Sequence, residues 1–420
     1  MAGIIKPMRL GILTKCTPHE GGSIFTVTAL GLFDLLEPDY LLMEMGLWPT
    51  AADQLPPGSV LDLGAPKPNG EVIVAGSAIP PGGHPVDKQL VEVRVGSVAK
   101  RVLAIGNRFW THGDHGPVYS DPLAFTHMPL VPQLAFGGPD FAENPLGRGV
   151  GARGLYEAGY KAPLPNLENP AHPILEIDDT PHPAWFGPYP PDAPWRQRYI
   201  GTYDRAYMKT HFPGYPADFD TRYFLTAPAD QQVEGFFRGD EPIHVSGMSS
   251  THPTIESRLP AIRARAFVHR TSDPDGFHEL HMHLDTVWIF GSVNKGMVGF
   301  RGSIQAADID GDDIAYVMIA YERMSDPPRD VSHYEEVYRL RRDPEEKAKY
   351  VLADYQLAPE IDPAIKAARR ASKIKAFDKR VAEFEAAQAF SIRKQFEDHD
   401  LPPALLPKVE LPKLPPIAIP

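Results

Sequence analysis

Apolar and polar residues alternate with period two in several short runs near the start of the chain. Leu90-Val-Glu-Val-Arg-Val-Gly96 puts Leu90, Glu92 and Arg94 on one side and Val91, Val93 and Val95 on the other, as a half-buried strand does. Ser23-Ile-Phe-Thr-Val-Thr-Ala-Leu30 is rich in β-branched residues. Glu71-Val-Ile-Val-Ala-Gly-Ser-Ala-Ile79 follows the turn cluster Pro66-Lys-Pro-Asn-Gly70, and Lys100-Arg-Val-Leu-Ala-Ile-Gly106 is a further strand candidate. Strands separated by Pro/Gly turns, with no helical period between them, predict an antiparallel, sandwich-like region over residues 1–110.

Between 111 and about 245 no period lasts more than a few residues. Prolines are dense there, and aromatics such as Phe136, Trp185, Trp195 and Phe224 are too frequent for a disordered linker. This predicts an ordered, loop-rich layer draped on sheet surface, its rings supplying the buried area. Strands resume at Arg263-Ala-Arg-Ala-Phe-Val-His269. His278 to Phe290, a turn at Gly291–Gly296, and Met297 to Gly302 read as a hairpin. Asp313 to Glu322 is an apolar run that fits a short helix or a buried strand.

After Pro327-Pro328 the period turns helical. Ile374, Phe377, Val381 and Phe384 fall at 3, 4, 3 spacing, one stripe of an amphipathic helix. Residues 401–420 hold seven prolines in twenty and predict an extended, polyproline-like tail. Leu405, Val409, Leu411, Leu414, Ile417 and Ile419 are unusual in a solvated tail and are candidate partner contacts. The fold class is therefore mainly β, in antiparallel sandwich-like sheets, with a Pro/Gly-rich irregular middle and a helical C-terminal extension. The regions are 1–110, 111–325 (loop-rich layer plus second β region), 326–400 (helical) and 401–420 (tail).

Composition sharpens this picture. The 420 residues include 46 prolines, roughly twice the usual ~5%, which rules out a long-helix architecture throughout. The net charge of −12 argues against a nucleic-acid backbone or anionic lipid as partner. A single cysteine, Cys16, allows no intrachain disulfide and fits a reducing compartment. No apolar run of 18 residues and no secretory leader pattern occur, so the expectation is a soluble cytoplasmic protein without a membrane partner.

Few residues pattern for chemistry. Glu279, His281, His283 and Asp285 are all odd-numbered, so one regular strand would place them on a single face. Imidazole with carboxylate can hold zinc or iron, and His281, His283 and Asp285 define the alternative of a metal-dependent enzyme. Against it stands an ordinary polar sheet face. His112-Gly-Asp-His-Gly116 fits a tight turn better than acid–base work. Asp308-Ile-Asp-Gly-Asp-Asp313 begins like a calcium loop but has Ile319 where the closing Glu belongs. Cys16 has no clear activating neighbour. The glycine-rich stretches match neither a phosphate loop nor a dinucleotide fingerprint. This inventory predicts no catalytic residue, no cofactor and no resident metal.

A longer pattern runs through the middle: Phe136-Gly-Gly-x-Asp140, Asn144-Pro-x-Gly-x-Gly149, Leu164-Pro-Asn-Leu-Glu168, Phe186-Gly-Pro188, Pro194-Trp-Arg196 and Gly201-Thr-Tyr-Asp204. It continues with Asp218-Phe-Asp220, Ala227-Pro-x-Asp-Gln-Gln232, Gly239-Asp-Glu241, Leu259-Pro260 and Leu284-Asp-Thr286. This series resembles the domain-of-unknown-function family encoded with bacterial type VI secretion systems, also found fused to pentapeptide repeats. The resemblance covers roughly residues 10 to 325; the helical segment and the tail lie outside it. It implies a non-enzymatic adaptor or chaperone that holds a secreted effector and helps load it onto the spike, with the valine-glycine-repeat trimer or the PAAR-repeat tip as further partners. It carries over no catalytic residue, and its motif positions are expected to maintain the fold, with Gln231–Gln232 and Asp240–Glu241 left as candidate surface contacts. A structural piece of the spike is the other non-enzymatic reading.

Overall fold

The computed structural model describes residues 3–7, 9–19, 22–42, 66–212, 214–307, 311–342 and 355–357. Three five-stranded sheets account for most of the strand content. Counted in chain order, their strands are β1 (Gly3–Pro7), β2 (Leu10–His19), β3 (Gly22–Asp34), β4 (Glu71–Ala75), β5 (Lys88–Val95), β6 (Val98–Ile105) and β7 (Leu167–Glu168). They continue as β8 (Pro242–Ser246), β9 (Thr254–Arg258), β10 (Ile262–Arg270), β11 (Asp273–Leu280), β12 (His283–Phe290), β13 (Lys295–Ala306), β14 (Ile314–Arg323) and β15 (Tyr355–Leu357). The first sheet has the order β11-β10-β14-β1-β15, the second β2-β3-β13-β12-β4, and the third β7-β6-β5-β8-β9.

The third sheet follows its sequence pattern. Val91, Val93 and Val95 are buried while Leu90 and Arg94 are exposed, and β5 turns into β6 through Gly96 at φ +57°, the positive φ that a two-residue hairpin turn demands. Within the second sheet, β3, β4 and β12 are buried on both faces along most of their length, so they read as apolar runs and not as alternation. Val72, Val74, Val287 and Ile289 enter the main core, whereas Ile73, Ala75, Trp288 and Phe290 enter a second cluster with Leu30, Leu32 and Met297. The main core also takes Ile262, Ala264, Ala266 and Val268 from β10 and Val317 and Ile319 from β14.

Pairing is mostly antiparallel, but β1 runs parallel to β14 and β12 parallel to β4. Because the first strand of the chain inserts beside β14, the first sheet joins distant parts of the sequence. The apolar run ending at Glu322 is a strand, since β14 pairs along its length with β10. Beyond Pro327-Pro328, helix Val331–Arg342 packs Tyr334, Val337 and Tyr338 on the outer face of the first sheet, against Ile5, Phe267 and Met318. Asp330 opens the helix by accepting from the Ser332 amide (2.9 Å). Within the segment read as helical, Tyr355–Leu357 instead forms a strand antiparallel to β1. The open edge that β1 offers accepts these three residues as a further strand. The stripe Ile374, Phe377, Val381 and Phe384 lies outside the described residues.

The irregular middle is ordered on the sheets, as its aromatic content predicts. Ring pairs run through it, among them Trp185–Tyr189, Tyr189–Trp195 and Tyr215–Phe219. Part of it builds a small core of its own. The three-stranded sheet of Ala162–Pro163, Phe109–Gly113 and Gly116–Tyr119 joins helix Ala152–Glu157 to bury Trp110, Phe136, Ala152, Ile174 and Ile177. Among the described residues no helix is long and apolar enough to cross a membrane.

Candidate functional site

The four acidic and imidazole side chains expected on one strand face are separated. The chain leaves the first sheet after Leu280 and enters the second at His283, so Glu279 belongs to β11 and His283 to β12. Glu279 pairs with Arg265. His281 and His283 stay close, ring centroids 4.4 Å apart, and His283 stacks on Phe236 at 4.0 Å. Burial and the neighbouring His281 push the His283 imidazole below its ordinary value. Asp285 sits where the register with β13 slips between Leu284 and Thr286. Such a bulge re-aims a side chain, and Asp285 is buried in an ion pair with Arg301. The odd-number rule fails here because it assumes one unbroken strand. Among the described residues, no three His, Cys, Asp or Glu side chains converge as a metal site would require.

Asp285 belongs to a buried polar network with little trace in the sequence. Lys67 pairs with Glu71 and donates to Thr286 Oγ1 at 2.9 Å. The Thr286 hydroxyl donates to Asp285 Oδ1 at 2.8 Å, and Arg301 Nη1 lies 3.2 Å from Thr286 Oγ1. Glu71 also accepts the backbone amides of Thr226 and Ala227, both at 2.7 Å. Two cations face two carboxylates, the condition under which buried charge is tolerated. Burial is the main influence on Lys67 and lowers its pKa against the pull of Glu71. The Lys67 side chain is only 2% exposed, its amine held between Glu71 and Thr286. The network fastens the irregular layer to the second sheet. Its one trace in the sequence is a charged residue, Glu71, opening an otherwise apolar strand.

The other motif side chains work in the same way. Asn144 Nδ2 donates to the carbonyls of Pro132 and Phe136, and Asn166 Nδ2 to that of Ile105. Glu168 forms a buried pair with Arg108. Arg196, fully buried, donates to the carbonyls of Tyr223 and Tyr189. Asp204 caps the helix Arg205–Thr210. Gln231 is not a surface contact: it is 1% exposed and donates to the carbonyls of Val72 and Phe186, both at 2.7 Å. Gln232 donates to Ala227 O, and Glu241 accepts the amides of Arg238 and Gly239, so these positions also close turns. His112 packs its ring at a tilt on Tyr156, and Cys16 lies half-buried on β2. Residues 308–310 of the acidic turn and the tail contacts Leu405, Val409, Leu411, Leu414, Ile417 and Ile419 fall outside the described residues.

The pattern of the bacterial family described as "Uncharacterized protein conserved in bacteria (DUF2169)" matches residues 20–301. The chain belongs to this family. The DUF2169 match takes in Glu71, Thr226, Asp285 and Arg301 together with the whole irregular layer, and stops before the helix Val331–Arg342. No curated protein and no solved structure matches the chain.

What the DUF2169 region presents outward differs from what it buries. Of fourteen large apolar side chains left exposed among the described residues, eight lie between Val118 and Leu175. Leu146, Val150, Leu155, Tyr160 and Leu175 rise from segments seated on the small core around Phe136 and Ala152. Tyr160 is bonded through its amide to Leu155 O, and Arg153 of the same helix pairs with Asp178 in the loop that carries Leu175. Sequence reasoning missed this surface because an apolar residue in an irregular segment carries no period to show whether it points inward or outward.

Proposed function

We propose that this chain is a cytoplasmic adaptor-chaperone that holds an effector of a type VI secretion system and assists its loading onto the spike. The observation that carries the binding role is the cluster of exposed apolar side chains between Val118 and Leu175, held on an ordered platform. Isolated exposed leucines need no explanation, but a concentration of them on one ordered region marks an interaction surface. The ordered motif series from Phe136 to Thr286 supports the secretion context, through its resemblance to proteins encoded with that machinery. The saturated hydrogen bonding of Asn144, Arg196, Gln231 and Glu71 supports a scaffold role for the motif residues.

Affinity purification of the tagged full-length chain from its own cells, with bound proteins identified by mass spectrometry, tests the proposal. An effector, a valine-glycine-repeat spike protein or a PAAR-repeat tip protein should co-purify at stoichiometric yield. Recovery of none of them overturns it.

A further inference from the structure

We infer that the surface carried by residues 109–182 docks a basic segment of the held protein, one that brings lysine or arginine side chains together with apolar anchors. The inference rests on the adaptor reading and adds the chemistry of the partner. Its first ground is the apolar cluster just described, including Leu155 (42% exposed), Tyr160 (69%) and Leu175 (62%). Its second is charge. Residues 109–182 contain three basic residues (Arg148, Arg153 and Lys161) and nine acidic ones, a net of −6 out of −12 for all 420 residues. Half of the net negative charge thus sits in under a fifth of the chain.

Most of that charge faces solvent; Glu168 is instead buried against Arg108, one position before this segment. Seven of the nine carboxylates are exposed. The exposed Arg153 is already occupied by Asp178 and Glu157, and Lys161 lies over the Phe109 ring at 5.5 Å. Asp114, Asp121, Asp140 and Glu176 have no ion pair among the described residues. Exposed apolar side chains on a region that also carries uncompensated exposed carboxylates match a partner of opposite charge, which gains steering from the charges and affinity from the anchors. An acidic partner would meet like charge on this region.

The test places a photo-crosslinking amino acid at Leu155, Tyr160 or Leu175 in the full-length chain in cells, with two exposed apolar controls elsewhere, Met208 on the helix Arg205–Thr210 and Tyr203 just before its cap. Mass spectrometry then sequences the cross-linked partner peptide. The three test positions should capture a peptide of net positive charge at tenfold or higher yield than the controls. Replacing Asp114, Asp140 and Glu176 together by Lys should cut that yield at least tenfold while near-ultraviolet circular dichroism stays unchanged. A neutral or acidic peptide, equal capture at the controls, or a yield indifferent to charge reversal overturns the inference. A partner that co-purifies without cross-linking here leaves the adaptor reading standing and removes this one. Absence of any co-purifying partner removes both.

Discussion

The three-sheet body and the irregular layer between Gly106 and Glu241 bury backbone by different means. In the sheets, ladder bonds satisfy the main chain, so a position asks only for the right polarity on the right face. Val93 could be any compact apolar residue of similar volume. In the layer, carbonyls are satisfied by particular side chains: Asn144 serves Pro132 and Phe136, Arg196 serves Tyr189 and Tyr223, and Gln231 serves Phe186 and reaches across to Val72 on the sheet edge β4. Such side chains cannot be exchanged for others of similar polarity, because length and donor geometry are both used. The body tolerates substitution by class, and the layer requires identity.

The sharpest break in this contrast is expected where the two regions meet. Arg301→Met strands the buried Asp285 carboxylate and should cost about 3–5 kcal/mol of stability. The double variant Arg301→Met/Asp285→Leu should recover most of that loss, since it removes both charges. Urea denaturation of the three proteins decides; equal losses in the single and double variants would mean that volume, and not charge, governs the site.

A smaller effect tests how the first sheet holds the C-terminal helix. Glu322 accepts from Arg263 Nε (2.5 Å), Arg265 Nη1 (3.0 Å), the Tyr334 hydroxyl (2.6 Å) and the Arg329 amide (3.1 Å). Burial opposes ionisation, but these donors together bring its carboxyl down to about 2 from an ordinary 4.5. The unfolded chain binds the proton first, so this contribution is whole above pH 4.5, declines as pH falls, and is gone below about 2. It is on the order of a few kcal/mol. In Glu322→Gln the unfolding free energy should therefore fall less steeply between pH 5 and 2.5 than in the parent, as measured by denaturant titration at each pH.

Within the layer, Asn144→Ala removes a side-chain donor from two buried carbonyls, of which Pro132 keeps the Ala135 amide, and should cost about 1–3 kcal/mol. Arg94→Ala, on the exposed face of β5, should stay within about 0.5 kcal/mol. Similar losses for both would erase the distinction between identity and class. The smallest stability change belongs to Leu155→Ser with Leu175→Ser, again about 0.5 kcal/mol or less. The same pair should lower partner retention in co-purification by an order of magnitude, and unchanged retention would move the contact away from this surface.

The sequence carried the sheet body in readable form wherever one face of a strand is wet. Val91, Val93 and Val95 announce their burial because Glu92 and Arg94 alternate with them. Where both faces are covered, as along β14, the same rule falls silent, and a run ending at Glu322 fits helix or strand equally well. The aromatic density of the middle correctly implied order, but no local pattern encodes which carbonyl Asn144 or Gln231 will meet.

The sequence by itself determined that this chain is mainly β, rich in ordered loops and strongly acidic, because composition and period-two alternation are local properties. Only the tertiary structure decided which charges meet. Glu71 finds Thr226 across 155 positions, and Asp285 turns from the neighbouring histidines to Arg301 because the chain changes sheets and then bulges. Those pairings depend on sheet order and register, which are set by long-range packing that no short window of sequence contains.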